Sequence, residues 1–270
     1  MAADAPPPRL APGWAVVLGA SSGFGAAASR AFAEAGLDVC GVHLDRKATQ
    51  PLAEAVAKDV ERAGRRALFA NKNAADAGQR AEVIRALSGA MGEGPRVRVL
   101  LHSLAFGTLR PLASEDVKSA VSATQMAMTL EVMATSLVDW TQALLAAGLL
   151  ERGGRIFAMT SEGARRVWSS YGPVSVAKAA LEAAVRQLAF ELAPHEITAN
   201  AICAGVTHTP ALMKIPGHPE MMNAVLARHP RGRLTVPEDV ADALVALSLP
   251  GCGWISGNVI HVDGGESIVA

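Results

Sequence analysis

The sequence predicts an α/β fold, in which one domain is built around a parallel sheet of seven strands with helices on both faces. Short apolar segments alternate with helical segments of ten or more residues, the pattern of a parallel sheet covered on both sides. Half of the 270 residues are hydrophobic and 19% are charged, so the composition is that of a chain with a sizeable core. No linker or internal repeat divides the chain, and we expect a single doubly wound domain.

The elements follow one another in strand–helix order. The first strand is a short apolar run after an Ala- and Pro-rich stretch without periodicity, residues 1–13, which we predict to be a disordered tail. Gly36 closes the first helix, whose residues are strong helix formers. The predicted strands are 14–18, 38–44, 67–70, 97–101, 155–160, 198–203 and 258–262. The predicted helices are 26–35, 50–63, 75–91, much of 116–147, about 171–192 and 238–247.

Composition and charge exclude several classes of function. Lys and Arg total 25, as do Asp and Glu, and this balance gives no reason to expect binding to nucleic acid or to a membrane surface. No apolar run reaches the roughly 18 residues that span a bilayer. The N-terminus is a poor signal peptide. Three scattered cysteines suggest neither a disulfide framework nor a metal site, and they fit a cytoplasmic protein.

A glycine-rich segment connects the first strand to the first helix. Backbone amides in such a turn can approach a pyrophosphate, and the following helix N-terminus favours its negative charge. An ordinary strand-to-helix turn is the alternative, but this segment stands in the context that nucleotide binding requires. The predicted binding residues are Gly19, Ser21, Ser22, Gly23, Phe24 and Gly25.

The spacing Gly-x3-Gly-x-Gly resembles the short-chain dehydrogenase/reductase family. Two later segments support the resemblance, Asn200-Ala201-Ile202 with Ala204-Gly205, and Val262-Asp263-Gly264-Gly265. The resemblance covers residues 14–267, nearly the whole chain. It implies a Rossmann-type sheet of seven parallel strands, a nicotinamide cofactor and a homotetramer. It also places Gly205, Thr207 and Thr209 at the nicotinamide and pyrophosphate.

Tyr171 and Lys178 have the Tyr-x6-Lys spacing of a divergent branch, the enoyl-acyl carrier protein reductases, whereas ordinary members have Tyr-x3-Lys. Both separations keep the pair on one helix face, but the longer one moves the hydroxyl about one turn farther from the lysine. The resemblance implies that Lys178 anchors the cofactor ribose. An enoyl reductase develops negative charge on a carbonyl oxygen two carbons beyond the hydride acceptor, which makes a displaced Tyr171 reasonable.

Two segments refine this resemblance. His102-Ser103-Leu104, followed by Phe106, is similar to the segment after the fourth strand of enoyl reductases, where it borders the cofactor and the substrate. Ser161 stands where the best-known members carry a second aromatic residue. A serine there with Tyr-x6-Lys resembles the third, NADPH-dependent class, and we assign Ser161 an auxiliary catalytic role. It equally matches the serine of ordinary short-chain reductases, so a carbonyl or hydroxysteroid reductase is the first alternative.

The second strand ends near the expected adenosine site. His43 stands at its tip, where NAD-preferring proteins usually carry an acid, and Asp45 follows two residues later. Arg46 and Lys47 favour a 2′-phosphate, so we expect NADPH to be preferred and NADH to be possible. The resemblance places Asn73 and Ala74 beside the adenine.

Residues 207–230 resemble the mobile flap that covers the substrate in this family, with an amphipathic core helix as the alternative. The flap carries the predicted substrate-binding residues Met213, Met221 and Met222, whose side chains adapt to flexible acyl chains.

The favoured function is NAD(P)H-dependent reduction of the 2,3 double bond of enoyl thioesters of acyl carrier protein or coenzyme A, in fatty-acid or related biosynthesis. A nucleotide-binding regulator without turnover is the second alternative. No metal is expected.

Overall fold

The computed structural model describes residues 9–269, which form one sheet of seven parallel strands in the order β3-β2-β1-β4-β5-β6-β7. The predicted α/β class and the seven strands are confirmed. The strands are β1 Trp14–Leu18, β2 Asp38–His43, β3 Ala67–Asn71, β4 Val97–His102, β5 Leu150–Thr160, β6 Thr198–Ala204 and β7 Val259–Val262.

The main helices alternate with these strands and cover both faces of the sheet. They are α1 Gly23–Glu34, α2 Gln50–Arg62, α3 Ala77–Met91, α4 Ala123–Leu130, α5 Ser136–Ala146, α6 Gly172–Glu191, α7 His218–Arg228 and α8 Pro237–Leu247. Alternate residues of the central strands enter one of two apolar cores. Val16 and Leu100 pack with Trp140 on one side of the sheet, whereas Val17 and Leu101 enter the other core.

The order of the strands reverses between β1 and β4, because the chain builds β1 to β3 in one direction and β4 to β7 in the other. In a doubly wound sheet, the crevice beyond the carboxyl ends of the strands at this point is where ligands bind. The loops after β1, β4 and β5 meet there, and they carry the glycine segment, the residues around Ser103 and the residues around Ser161.

The helix expected within 116–147 differs from the prediction. It begins at Ala123, after a capping box in which the Ser122 hydroxyl accepts from the Gln125 amide. A π-helical segment, Glu131–Thr135, then separates α4 from α5. Periodicity in the sequence does not reveal such an insertion, since the apolar pattern continues through it.

The described end of the predicted tail contacts the domain at Leu10, which is buried and whose amide donates to the Ala35 carbonyl oxygen at 2.8 Å. Residues 1–8 of that prediction lie outside the described part of the chain. Within residues 9–269, no helix combines the length and hydropathy needed to cross a bilayer.

Candidate active site

The glycine segment forms a cradle that only glycine permits. Gly19 has a φ of +90°, and a Cβ atom built there would lie 2.4 Å from the Ser103 carbonyl oxygen. A Cβ on Gly25 would lie 2.1 Å from the Gly19 oxygen. Ser22 is the N-cap of α1, yet its hydroxyl makes no capping hydrogen bond, and the first turn carries no acid. These features fit a pyrophosphate group at the helix N-terminus.

The tip of β2 presents a carboxylate to this cradle. His43 is buried, and its Nδ1 lies 2.8 Å from Asp45 Oδ2. Partial burial alone raises the pKa of Asp45, but hydrogen bonds from Thr49, Ser21 and His43 outweigh it and lower the pKa below its ordinary value. Asp45 is therefore ionised beside Ser21 of the glycine segment, whereas Arg46 next to it is exposed.

The structure brings most of the remaining predicted cofactor residues to the same crevice. Thr209 approaches Gly23, whose ideal Cβ would lie 3.4 Å from the threonine methyl group. The Thr207 hydroxyl donates to the Gly205 carbonyl oxygen at 2.9 Å. Farther along the edge, the Asn73 side chain accepts from the Ala75 amide at 3.1 Å, and the Trp140 indole donates to the Ala74 oxygen at 2.8 Å.

The side chain of His102 lies in the core. Its side chain is fully buried, with Nε2 2.9 Å from the Ser136 hydroxyl, and Nδ1 has no partner among residues 9–269. Burial, aided by the nearby positive charge of Lys178, lowers the pKa of His102 to about 3. The imidazole is therefore neutral and supports the sheet edge, and only its backbone is placed to border the crevice.

Tyr171 lies at the N-cap of α6, at the carboxyl end of β5. Its ring packs over Gly163, where a Cβ atom would come within 2.3 Å of the ring carbon Cε1. The phenolic hydroxyl donates to the Ser161 hydroxyl across 3.5 Å. Burial raises the pKa of Tyr171, against the opposing hydrogen bond to Ser161, so the phenol is protonated at neutral pH and remains a hydrogen-bond donor.

Lys178 lies two turns farther along α6 and is buried. Its Nζ donates to the Met159 carbonyl oxygen at 2.7 Å and reaches the Leu104 oxygen at 3.5 Å. Burial lowers the pKa of Lys178 to about 8, although Glu182 opposes the shift. The lysine thus links the carboxyl ends of β4 and β5 beneath the crevice, a position from which it can hold a ribose hydroxyl.

The π-helical segment adds a wall that the sequence analysis did not assign to the site. It carries Met133, whose side chain is buried. A Cβ atom on Gly107 would lie 2.8 Å from Met133 Sδ and 2.9 Å from a Val174 methyl group. The loop after β4 therefore packs closely on α6. The sequence signal was Gly107 itself, one residue after Phe106.

The predicted flap is partly helical and stands beside the tyrosine loop. The Trp168 indole donates to the Pro216 oxygen at 3.0 Å, which joins residues 161–170 to the start of α7. Met213 is 51% exposed and Phe106 57% exposed, and Met221 and Met222 are half-buried. Trp168 was missed because nothing near it in the sequence indicates a partner 48 residues later.

Buried Glu266 was also missed. Its carboxylate accepts from the Val206 amide at 2.8 Å and so holds the start of the 207–230 segment. Burial raises the pKa of Glu266, with opposition from the hydrogen bond of Val206. The glutamate comes from the last turn of the chain, and only the fold brings it to Gly205.

Comparison with known proteins identifies the class to which this fold and site belong. The model of the family described as enoyl-(acyl carrier protein) reductase matches residues 19–267. The chain belongs to this family, within the short-chain dehydrogenase/reductase superfamily.

Particular relatives differ in their named reactions. The NADH-dependent enoyl-[acyl-carrier-protein] reductase of Aquifex aeolicus is 34% identical over 172 residues, 63% of this chain and 62% of its own. Its solved structure, at 25% identity, superimposes with a TM-score of 0.81 over 94% of this chain and 96% of its own. The 1-cyclohexenylcarbonyl-CoA reductase of Streptomyces collinus is 38% identical over 45% of this chain and 44% of its own.

A third relative is similar along nearly its whole length. The (2S)-[(R)-hydroxy(phenyl)methyl]succinyl-CoA dehydrogenase subunit BbsD of Thauera aromatica is 29% identical over 95% of this chain and 97% of its own. The sequence alignments with the Aquifex and Streptomyces relatives, in contrast, span less than two thirds of those proteins.

Proposed function

We propose that this protein reduces the 2,3 double bond of enoyl thioesters with a nicotinamide cofactor. The observation that carries the proposal is the position of the Tyr171 hydroxyl, beside Ser161 at the carboxyl end of β5 and seven residues before the buried Lys178. This separation puts the two residues about 10.5 Å apart along the helix axis. An acid that must touch the hydride-accepting carbon would be expected closer to the lysine.

The residues of the crevice divide the chemistry between them. A bound nicotinamide supplies the hydride. Lys178 holds the cofactor ribose, and the cradle around Gly19 holds the pyrophosphate. Tyr171 donates a hydrogen bond to the thioester oxygen, where enolate charge develops, and its raised pKa keeps it protonated for that task. Phe106 and Met213 supply apolar contact for the acyl group.

The substrate is an enoyl group on acyl carrier protein or coenzyme A, in fatty-acid or related biosynthesis. Two features support an acyl thioester, namely the half-exposed methionines of the 207–230 segment and the thioesters named for the three relatives. The homotetramer and the cytoplasmic location implied by the sequence analysis remain predictions.

We propose NADH as the preferred cofactor, since the geometry does not support the NADPH preference predicted from Arg46 and Lys47. Asp45 presents an ionised carboxylate beside Ser21, where it can accept from ribose hydroxyls and would repel a 2′-phosphate. Asp45→Ala should lower the KM for NADPH at least about tenfold, the equivalent of roughly 1.4 kcal/mol. Arg46→Ala with Lys47→Ala is the matched control. If that variant raises the KM for NADPH by a larger factor than Asp45→Ala lowers it, the original NADPH prediction is restored.

A specific contact favours a second candidate, a carbonyl reductase. The Tyr171 and Ser161 hydroxyls lie 3.5 Å apart. At this distance both can donate hydrogen bonds to one carbonyl oxygen, as in the reduction of a ketone. The Thauera relative, whose name is that of a hydroxyacyl-CoA dehydrogenase, is consistent with this chemistry.

One assay separates these functions. Oxidation of NADH and NADPH is followed with crotonyl thioesters of coenzyme A and of acyl carrier protein, beside acetoacetyl-CoA and a panel of small ketones. Faster turnover of the enoyl thioesters, with Ser161→Ala losing no more than about tenfold, supports enoyl reduction. Faster turnover of a ketone, with Ser161→Ala as damaging as Tyr171→Phe, promotes the carbonyl reductase. Absence of turnover with every substrate would leave the nucleotide-binding regulator.

A further inference from the structure

Three potential metal ligands meet near the carboxyl ends of β5, β6 and β7. Glu162 follows β5, Cys203 lies near the end of β6, and His261 lies on β7. Cys203 and His261 are register partners in neighbouring parallel strands, so the backbone itself places their side chains side by side. Their ligand atoms and those of Glu162 all lie within 4.8 Å of one another, and this is the one such group among residues 9–269.

The two separations that involve Glu162 match the edges of a tetrahedral zinc site. Glu162 Oε1 lies 3.6 Å from Cys203 Sγ and 3.4 Å from His261 Nδ1. Zinc bonds of about 2.3 Å to sulfur and about 2.0–2.1 Å to nitrogen or oxygen require ligand separations of roughly 3.3–3.6 Å at tetrahedral angles. A cation could therefore enter between these three atoms with little movement of the strands that carry them.

A fourth ligand of suitable type stands next to the group. Asp263 Oδ2 lies 3.7 Å from His261 Nδ1, and it already accepts from the Ser267 amide at 3.0 Å. Such a backbone hydrogen bond orients a carboxylate without occupying all its lone pairs. The His261 side chain is 32% exposed, which leaves the group open to solvent on one side.

The local charge favours a divalent cation. The carboxylates of Glu162, Glu182 and Asp263 place negative charge around Cys203. These three carboxylates oppose an isolated thiolate, but together they attract a cation that can neutralise them and the thiolate. Thiolate and imidazole ligands select zinc over magnesium or calcium.

We propose that Glu162, Cys203 and His261 form a zinc-binding site, and that Asp263 moves toward the bound ion to supply the fourth ligand. On binding, the Cys203 thiol loses its proton to solvent, His261 binds through a neutral Nδ1, and Glu162 contributes Oε1 while its Oε2 remains paired with Arg166. This inference does not depend on the reaction assigned above, because no ligand of the site belongs to the groups proposed to touch cofactor or substrate.

Direct metal binding tests the proposal on the full chain. Zinc titrated against a chromophoric chelator should bind at one equivalent per chain with a Kd of about 1 µM or tighter. Cobalt(II) should produce a thiolate-to-metal charge-transfer band. Cys203→Ser should abolish that band, and Cys203→Ser and His261→Ala should each weaken zinc binding at least about tenfold.

Matched controls separate this site from adventitious binding. Cys252→Ser alters a half-buried cysteine outside the group, and it should leave both the band and the affinity unchanged. If Cys203→Ser fails to fold, the wild-type cobalt band and the exposed His261→Ala variant carry the test. Absence of stoichiometric binding would overturn the proposal, because the group would then be only a hydrogen-bonded cluster in which the thiol donates to Glu162. Zinc binding that survives both variants would overturn it as well.

Discussion

Two glycines at the crevice make close contacts of different kinds. Gly19, in the cofactor half, faces the backbone oxygen of Ser103, at the join between β1 and β4. Gly163, in the catalytic half, faces the movable ring of Tyr171. A backbone cannot yield without disturbing the sheet, whereas a ring can rotate or shift. The cofactor half of the crevice, around Gly19, is therefore fixed by main-chain geometry, and the catalytic half, around Tyr171, by side-chain packing. Substitutions in the cofactor half should lower stability, whereas substitutions in the catalytic half should lower turnover.

The largest expected effect comes from Gly19→Ala. The new methyl group must occupy a left-handed conformation and displace the Ser103 backbone, so the free energy of unfolding should fall by about 3 kcal/mol or more, as measured by denaturant titration. The matched control is Gly64→Ala, at a φ of +75° with nothing within 4 Å of the added carbon. It carries only the conformational cost, about 1 kcal/mol. Equal losses in the two variants would contradict the proposed backbone contact.

The next effect belongs to the catalytic half and should leave stability almost unchanged. Tyr171→Phe keeps the ring over Gly163 and removes the hydroxyl alone. The kcat for the preferred thioester should fall about 100-fold or more, as for loss of an oxyanion donor, while the Kd for NADH stays within about twofold. Turnover that survives this change would remove Tyr171 from the chemistry, whichever carbonyl compound is reduced.

Gly163→Ala combines a steric clash with a loss of turnover. The added methyl group displaces the Tyr171 ring without deleting its hydroxyl, so kcat should fall about tenfold and the melting temperature should change by no more than a few degrees. The double variant with Tyr171→Phe should be no slower than Tyr171→Phe alone, because both changes act through one hydroxyl. Additive losses would show that Gly163 acts through another contact.

The contrast also explains how far the sequence could predict the molecule. The parallel sheet was predictable because strand and helix segments alternate along the sequence. The cradle was predictable because its glycines stand between a strand and a helix, where the backbone must turn tightly. Tyr171 and Lys178 were accessible for a similar reason, since one helix fixes their separation. The hydrogen-bond partners of the site residues could not be predicted from the sequence. The Leu104 oxygen reaches Lys178 across 74 residues, and Glu266 reaches Val206 across 60. The neutral state of His102 likewise depends on burial that no motif reports.

The smallest expected effect concerns the charge on Lys178. Its pKa is about 8 in the folded protein, against an ordinary value of 10.5, because burial disfavours the ammonium form. Below pH 8 the lysine is protonated in both states, and the full cost of burying its charge is present. Between about pH 8 and 10.5 the folded protein releases this proton while the unfolded chain keeps it, so stability rises with pH.

Relative to Lys178→Met, which fills the same space without a charge, the wild type should gain about 1 kcal/mol in unfolding free energy between pH 7 and 9. Lys47→Met, at an exposed position, should track the wild type over the same range. A wild-type curve parallel to that of Lys178→Met would mean that the lysine keeps its ordinary pKa. In that case its two carbonyl partners would offset the burial, and the catalytic half would hold its charge without cost.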